Sequence, residues 1–149
     1  MPISGNFQAS NDGWLGSKTR IKILARDFLT DDDATTSGGP CTEELNSTGG
    51  IQVGSTSQEL YAYIPIPTGY KVTECRINCV NAIQVRVWLC DINGSSGIEI
   101  SDTVTTQYTN SIIPLTETNS TDTNYIMIFC YTALTSQLIY GGYLSIEKI

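Results

Sequence analysis

Histidine is absent from this 149-residue chain. With it go the Ser–His–Asp triad, the Cys–His pair and His-ligated metals. Acid–base chemistry would then fall chiefly to carboxylates. Glycoside hydrolysis needs two of them facing each other across a cleft. Glu43, Glu44, Glu59, Glu74, Glu99 and Asp102 supply the residue type, but no spacing ties any two together. Asp31-Asp32-Asp33 is the densest acidic run and has the ligand chemistry of Ca2+. It lacks the alternating D-x-D-x-D-G pattern, so its side chains diverge and a charged turn is expected instead.

Five cysteines occur, at positions 41, 75, 79, 90 and 130. The number is odd, and no C-x-x-C pair offers a zinc site. Cys75 and Cys79 in one strand would stand roughly 13 Å apart, too far to bridge. Reduced, buried thiols acting as small hydrophobes are expected. Gly49-Gly50 and Gly141-Gly142 lack the spacing of phosphate-binding loops. Asn46, Asn93 and Asn119 fit N-x-[ST], a match that a Ser- and Thr-rich chain produces by chance. No catalytic, cofactor-binding or metal-ligating residue is expected, and the chain reads as a non-enzyme.

Aromatic residues offer binding rather than catalysis. Of eight Tyr and two Trp, the residues Tyr61, Tyr63 and Trp88 fall on the outward parity of their strands. Such a cluster suits a subunit interface, where Tyr and Trp are enriched, or a lectin-like sugar platform. Phe7, Trp14 and Leu15 are isolated large apolar residues in a Gly-, Asn- and Ser-punctuated start. They would anchor an extended arm, residues 1–17, on a neighbour; a loose terminus is the alternative. The six residues together are the candidate interface.

The elements that carry these residues read as β. Thr occurs 19 times, and charged residues make up only 15%; β-branched Thr suits a solvated sheet face. Strands are expected over Thr19–Phe28, Ile51–Val53, Gln58–Ile66, Tyr70–Val80 and Ile83–Cys90. Gly97–Val104, Thr105–Ile113, Asn124–Thr132 and Gln137–Ile149 complete the set. Ile83, Val85, Val87 and Leu89 alternate cleanly with Gln84, Arg86 and Trp88. Asn81-Ala82 is short enough for a tight reversal, and Asn93-Gly94 is a hairpin signal. Pro114–Thr123 reads as a polar loop, and Gly141-Gly142 as a bulge or bend. Asn124–Thr132 is apolar on both parities, which predicts a central strand covered on both faces. The expected fold is all-β: an antiparallel β-sandwich or jelly-roll-like domain over residues 18–149.

A formal charge of −7 disfavours nucleic acid and anionic membrane surfaces, both of which need clustered cations. Met1–Gly13 lacks the n- and h-regions of a signal peptide, and no apolar run reaches membrane-spanning length. Synthesis in a cytosol is therefore expected, with any export by another route, of which release by cell lysis inside an assembled particle is one.

Three stretches resemble small virion proteins of tailed bacteriophages, notably those of cyanobacterial and marine hosts. They are Ser17–Phe28 (SKTRIKILARDF), Tyr63–Ile77 (YIPIPTGYKVTECRI) and Tyr140–Ile149 (YGGYLSIEKI). The resemblance implies a small β-sandwich, often trimeric, that decorates or cements a capsid or serves in a tail or fibre. Its implied partners are the major capsid protein and further copies of the same chain, in a virion assembled in the host cytoplasm. A host glycan is the implied partner if the protein is a tail adhesin.

Overall fold

Buried and outward residues alternate along Gln58–Pro65 and Asn124–Thr132, the period of a strand with one face on a core. The computed structural model describes residues 16–17, 19–30, 42–43, 49–52, 58–94, 96–101, 107–108, 112–132 and 137–149. Thirteen strand segments occur among them. They are β1 (Gly16–Ser17), β2 (Arg20–Leu24), β3 (Leu29–Thr30), β4 (Thr42–Glu43), β5 (Ile51–Gln52), β6 (Gln58–Pro65) and β7 (Tyr70–Val80). After these come β8 (Ile83–Asp91), β9 (Ile98–Glu99), β10 (Gln107–Tyr108), β11 (Ile112–Asn119), β12 (Asn124–Thr132) and β13 (Leu138–Lys148).

Every pairing is antiparallel, and the strands form two sheets. In the first, β13 lies between β7 and β2, with β11 beyond β7 and β1 beyond β2; β5 and β4 extend the β2 side. In the second, β12 lies between β6 and β8, flanked by β3 on one side and by β9 and β10 on the other. Ile21, Ile23, Val72, Ile77 and Leu144 from the first sheet share one core with Leu60, Val85, Val87, Ile126 and Ile128 from the second. The protein is an antiparallel β-sandwich, as its alternation predicts.

Several local expectations need correction. The stretch expected as one strand, Thr19–Phe28, is broken: the Asp27 carboxylate accepts the Leu24 N–H at 2.7 Å, and a 3-10 turn at Ala25–Asp27 carries the chain from the first sheet to the second. Asn81-Ala82 does not close a hairpin, because β7 and β8 belong to different sheets. Asn81, at φ 61°, takes the left-handed conformation that swings the chain across, and the Gln137 side chain donates to the Ala82 carbonyl. Pro114 sits inside β11, not in a loop, since Ile113 and Leu115 bury into the core. Proline is tolerated there because the ladder of β11 runs along β7, while its other side carries only an isolated bridge, Ser101 to Leu115, with Thr116 N–H donating to the Ile100 carbonyl at 2.8 Å. The bulge expected near Gly141 is present, between Ile139 and Gly141. Gly141 has φ 111°, and a Cβ on it would collide with the Ile23 carbonyl.

Candidate functional site

Beside their buried parity, the three long strands of the second sheet carry an outward parity that is half aromatic. Register fixes how these residues meet. Glu59, Tyr131 and Gln84 lie abreast on β6, β12 and β8. In the next row, Leu29 of β3 precedes Tyr61, Phe129 and Arg86. The third row is Tyr63, Met127, Trp88 and Glu99, the last from β9. Pro65, Tyr125 and Cys90 form the fourth. Residues directly opposed in this way touch through their side chains. With strands about 4.8 Å apart and rows about 6.8 Å apart, the grid measures roughly 10 by 20 Å across β6, β12 and β8.

The rings pack on one another without being buried. Tyr61 and Phe129 have centroids 5.4 Å apart with planes at 57°, and Tyr63 and Tyr125 lie 6.1 Å apart at 56°. These tilted, edge-biased contacts suit the aromatic quadrupole. Tyr63 remains 52% exposed, and the other rings of the grid are intermediate.

Polar groups are fixed among the rings. Arg86 grips Glu99 through two contacts, Nε to Oε1 at 2.9 Å and Nη2 to Oε2 at 2.5 Å. Its guanidinium also lies 5.1 Å from the Trp88 ring centre. Ser101 donates to Glu99 Oε1 at 3.2 Å and itself accepts the Val87 N–H at 3.0 Å. The hydrogen bonds from Arg86 hold the Glu99 carboxyl below its ordinary range, with a smaller contribution from Ser101. The Tyr61 hydroxyl donates to Glu59 at 3.0 Å. At the far end, Asp91 accepts the Asn93 N–H at 2.8 Å and the Thr123 hydroxyl at 2.7 Å, and both lower its pKa. Burial pushes the Cys90 thiol up, partly offset by a hydrogen bond with Tyr125.

The opposite outer face is built of charges. Arg20 lies 4.3 Å over the Tyr143 ring, Lys71 pairs with Glu117 at 2.7 Å and Glu147 at 3.3 Å, and Ser145 donates to Glu74 at 3.2 Å. Glu74 is therefore separated from Glu59 and Glu99 by the thickness of the sandwich, so it cannot pair with either across a cleft. Among the described residues, no group of three or more His, Cys, Asp or Glu is placed to hold a metal ion.

Sequence reasoning placed Tyr61, Tyr63 and Trp88 outward, and the fold brings all three onto one face. Phe7, Trp14 and Leu15 lie outside the described residues, as do Asp31–Asp33 and Cys41. The arm expected over residues 1–17 is described only at Gly16–Ser17, which pair with β2. The expectation that β12 is covered on both faces is corrected: Ile126, Ile128, Cys130 and Thr132 are buried, but Tyr125, Met127, Phe129 and Tyr131 form the middle of the open grid. The signal was present in the sequence, since those outward positions are aromatic or Met while the buried ones are Ile, Cys and Thr.

No protein-family model matches the chain, and no curated protein matches it. Solved structures do resemble it at low identity. One is the CBM36-1 domain of a multidomain xylanase from the hindgut metagenome of Trinervitermes trinervoides, at 13% identity and TM-score 0.45, covering 87% of this chain and 98% of that one. Another is the CBM22-1–GH10 portion of Clostridium thermocellum xylanase 10B with xylohexaose, at 13% identity and TM-score 0.45. A third is the Podospora anserina GH26-CBM35 β-(1,4)-mannanase, at 14% identity and TM-score 0.42. The chain covers 88% and 89% of its own length in these two matches but spans only 28% of either partner.

Proposed function

We propose that this protein is a carbohydrate-binding β-sandwich whose ligand lies on the aromatic outer face of the second sheet. The observation that carries the reading is the grid itself: half-exposed rings with hydrogen-bonding groups set between them. A pyranose presents an apolar C–H face and a rim of hydroxyls, so its binding surface needs flat rings and polar groups in the same row. The row Tyr63–Met127–Trp88–Glu99 supplies both. A protein partner would have to bury the Arg86–Glu99 pair at its centre, where charged residues are depleted and desolvation is costly. A hydrated saccharide leaves the pair wet. A glycan array tests the proposal: saccharide binding lost in Trp88→Ala and Tyr61→Ala supports it, and an array without hits on folded protein sinks it.

A structural role in a phage virion is the second reading, with the chain as capsid cement or tail component bound to the major capsid protein or to its own copies. Leu29 and Ile98, 61% and 67% exposed at opposite margins of the second sheet, favour burial against a neighbouring subunit. Mass in solution and copy number in purified particles test it. A monomer absent from every particle would remove the reading.

A further inference from the structure

Resting on the saccharide reading above, we infer that the binding track runs across the strands and past Tyr63 into a cleft at the sandwich seam. Its ligand is an uncharged oligosaccharide long enough to occupy both. The cleft encloses about 180 Å3 between Lys22, Leu24 and Asp27 on one side and Tyr63, Ile64 and Pro65 on the other. It opens where both sheets run out. Among the described residues, β3 pairs with Tyr61 and Leu60 of β6, and β1 with Arg20 and Ile21 of β2. The 3-10 turn at Ala25–Asp27 bridges the two sheets beside it.

Tyr63 belongs to both places. It begins the row that continues through Met127 to Trp88, two strands away and so about 10 Å distant. It also walls the cleft, and it is the most exposed ring on the grid. A chain resting on Trp88 and Tyr63 therefore meets the cleft next, with exposed Leu24 on the far wall. Met127 between the two rings is a flexible thioether floor that adapts to different ring shapes.

The charges along this track select the ligand class. The charges on the track balance: Arg86 is gripped by Glu99, and the cleft lining holds one cation, Lys22, and one carboxylate, Asp27. The described lining of the track therefore has no net positive charge to favour a carboxylate, sulfate or phosphate, and the chain as a whole carries −7. A hydroxyl donates and accepts at once. Such a group suits a lining that offers both an ammonium and a carboxylate, and Asp27 retains lone pairs beyond the one given to Leu24 N–H.

The test is calorimetric titration of the full chain with disaccharides and hexasaccharides of gluco-, xylo-, manno- and N-acetylglucosamine series, beside a hexagalacturonate. A neutral hexasaccharide is expected to bind at least about tenfold more tightly than its disaccharide. In the double variant Lys22→Ala, Leu24→Ala that gain is expected to fall about tenfold, with the disaccharide unchanged. Thermal unfolding establishes that the variant is folded, and the single variant Lys22→Gln repeats the measurement if it is not. Unchanged hexasaccharide affinity in the folded variant overturns the cleft extension while leaving the aromatic face intact. Preference for hexagalacturonate overturns the neutral class. Failure of every saccharide to bind overturns this inference and the proposed function together.

Discussion

Arg86 and Glu99 face each other from β8 and the short β9, joined by two hydrogen bonds of 2.9 and 2.5 Å, with the Arg86 guanidinium 5.1 Å from the Trp88 ring centre. The fork fixes Arg86 in a plane beside the ring, which a lysine ammonium cannot do.

Arg86→Lys is accordingly expected to lower saccharide affinity about tenfold, while stability changes by less than about 1 kcal/mol because the pair is partly exposed. The pH dependence follows the same pair. Glu99 has a depressed pKa in the folded state, so its stabilising contribution is present above the ordinary carboxylate value of about 4.3 and is lost as pH falls through the lower folded value. Affinity is expected to stay flat from neutrality down to the ordinary carboxylate value of about 4.3 and to fall only at lower pH, as Glu99 is protonated. Glu99→Gln should abolish that acid limb; titrations over this range measure both effects.

Cys75, Cys79 and Cys130 are buried in the core, whereas Cys90 is half-buried on the aromatic face. Burial pushes Cys75 up to about 12 and Cys130 also well above its ordinary value. With folded values raised, the stability they contribute is whole below the unfolded thiol value of about 8.5 and is lost as pH climbs towards the folded ones. Denaturation midpoints should therefore decline above about pH 9. Mass-resolved alkylation at neutral pH should modify Cys90 while the three core thiols react only on unfolding.

Ile128 and Phe129 are neighbours in sequence and opposites in role. Ile128 is fully buried between the sheets, and Phe129 stands on the grid against Tyr61. Ile128→Ala is expected to cost about 2–5 kcal/mol of stability. Phe129→Ala should cost about 1 kcal/mol or less beyond its lost ring contact yet weaken saccharide binding. Denaturant unfolding and titration of both variants separate core from site.

Most of the fold was legible because one-sided burial writes a period of two into the chain. Tyr70–Val80 and Ile83–Asp91 emerge with the expected limits or within one residue of them. The crossings between sheets were not legible. A two-residue Asn81-Ala82 connection looks the same locally whether it closes a hairpin or spans the sandwich, since only long-range pairing decides. Pro114 misled for a related reason: proline forbids a central strand, but not the free side of an edge strand. The site was half legible. Tyr61, Tyr63 and Trp88 were placed by parity, whereas Tyr125, Met127 and Phe129 were assigned to a covered face because apolar residues on both parities ordinarily mean burial on both. Arg86 and Glu99, 13 positions apart, met only through the β8–β9 pairing.

The most direct measurement is residue-resolved NMR of the labelled protein titrated with the best-binding neutral hexasaccharide. Perturbations centred on Tyr61, Tyr63, Trp88, Met127 and Phe129, and absent from Lys71, Glu74 and Glu147 on the opposite sheet, are the expected result. Shifts confined to the charged face, or none on the aromatic grid at saturating ligand, would overturn the assignment of this face as the binding site.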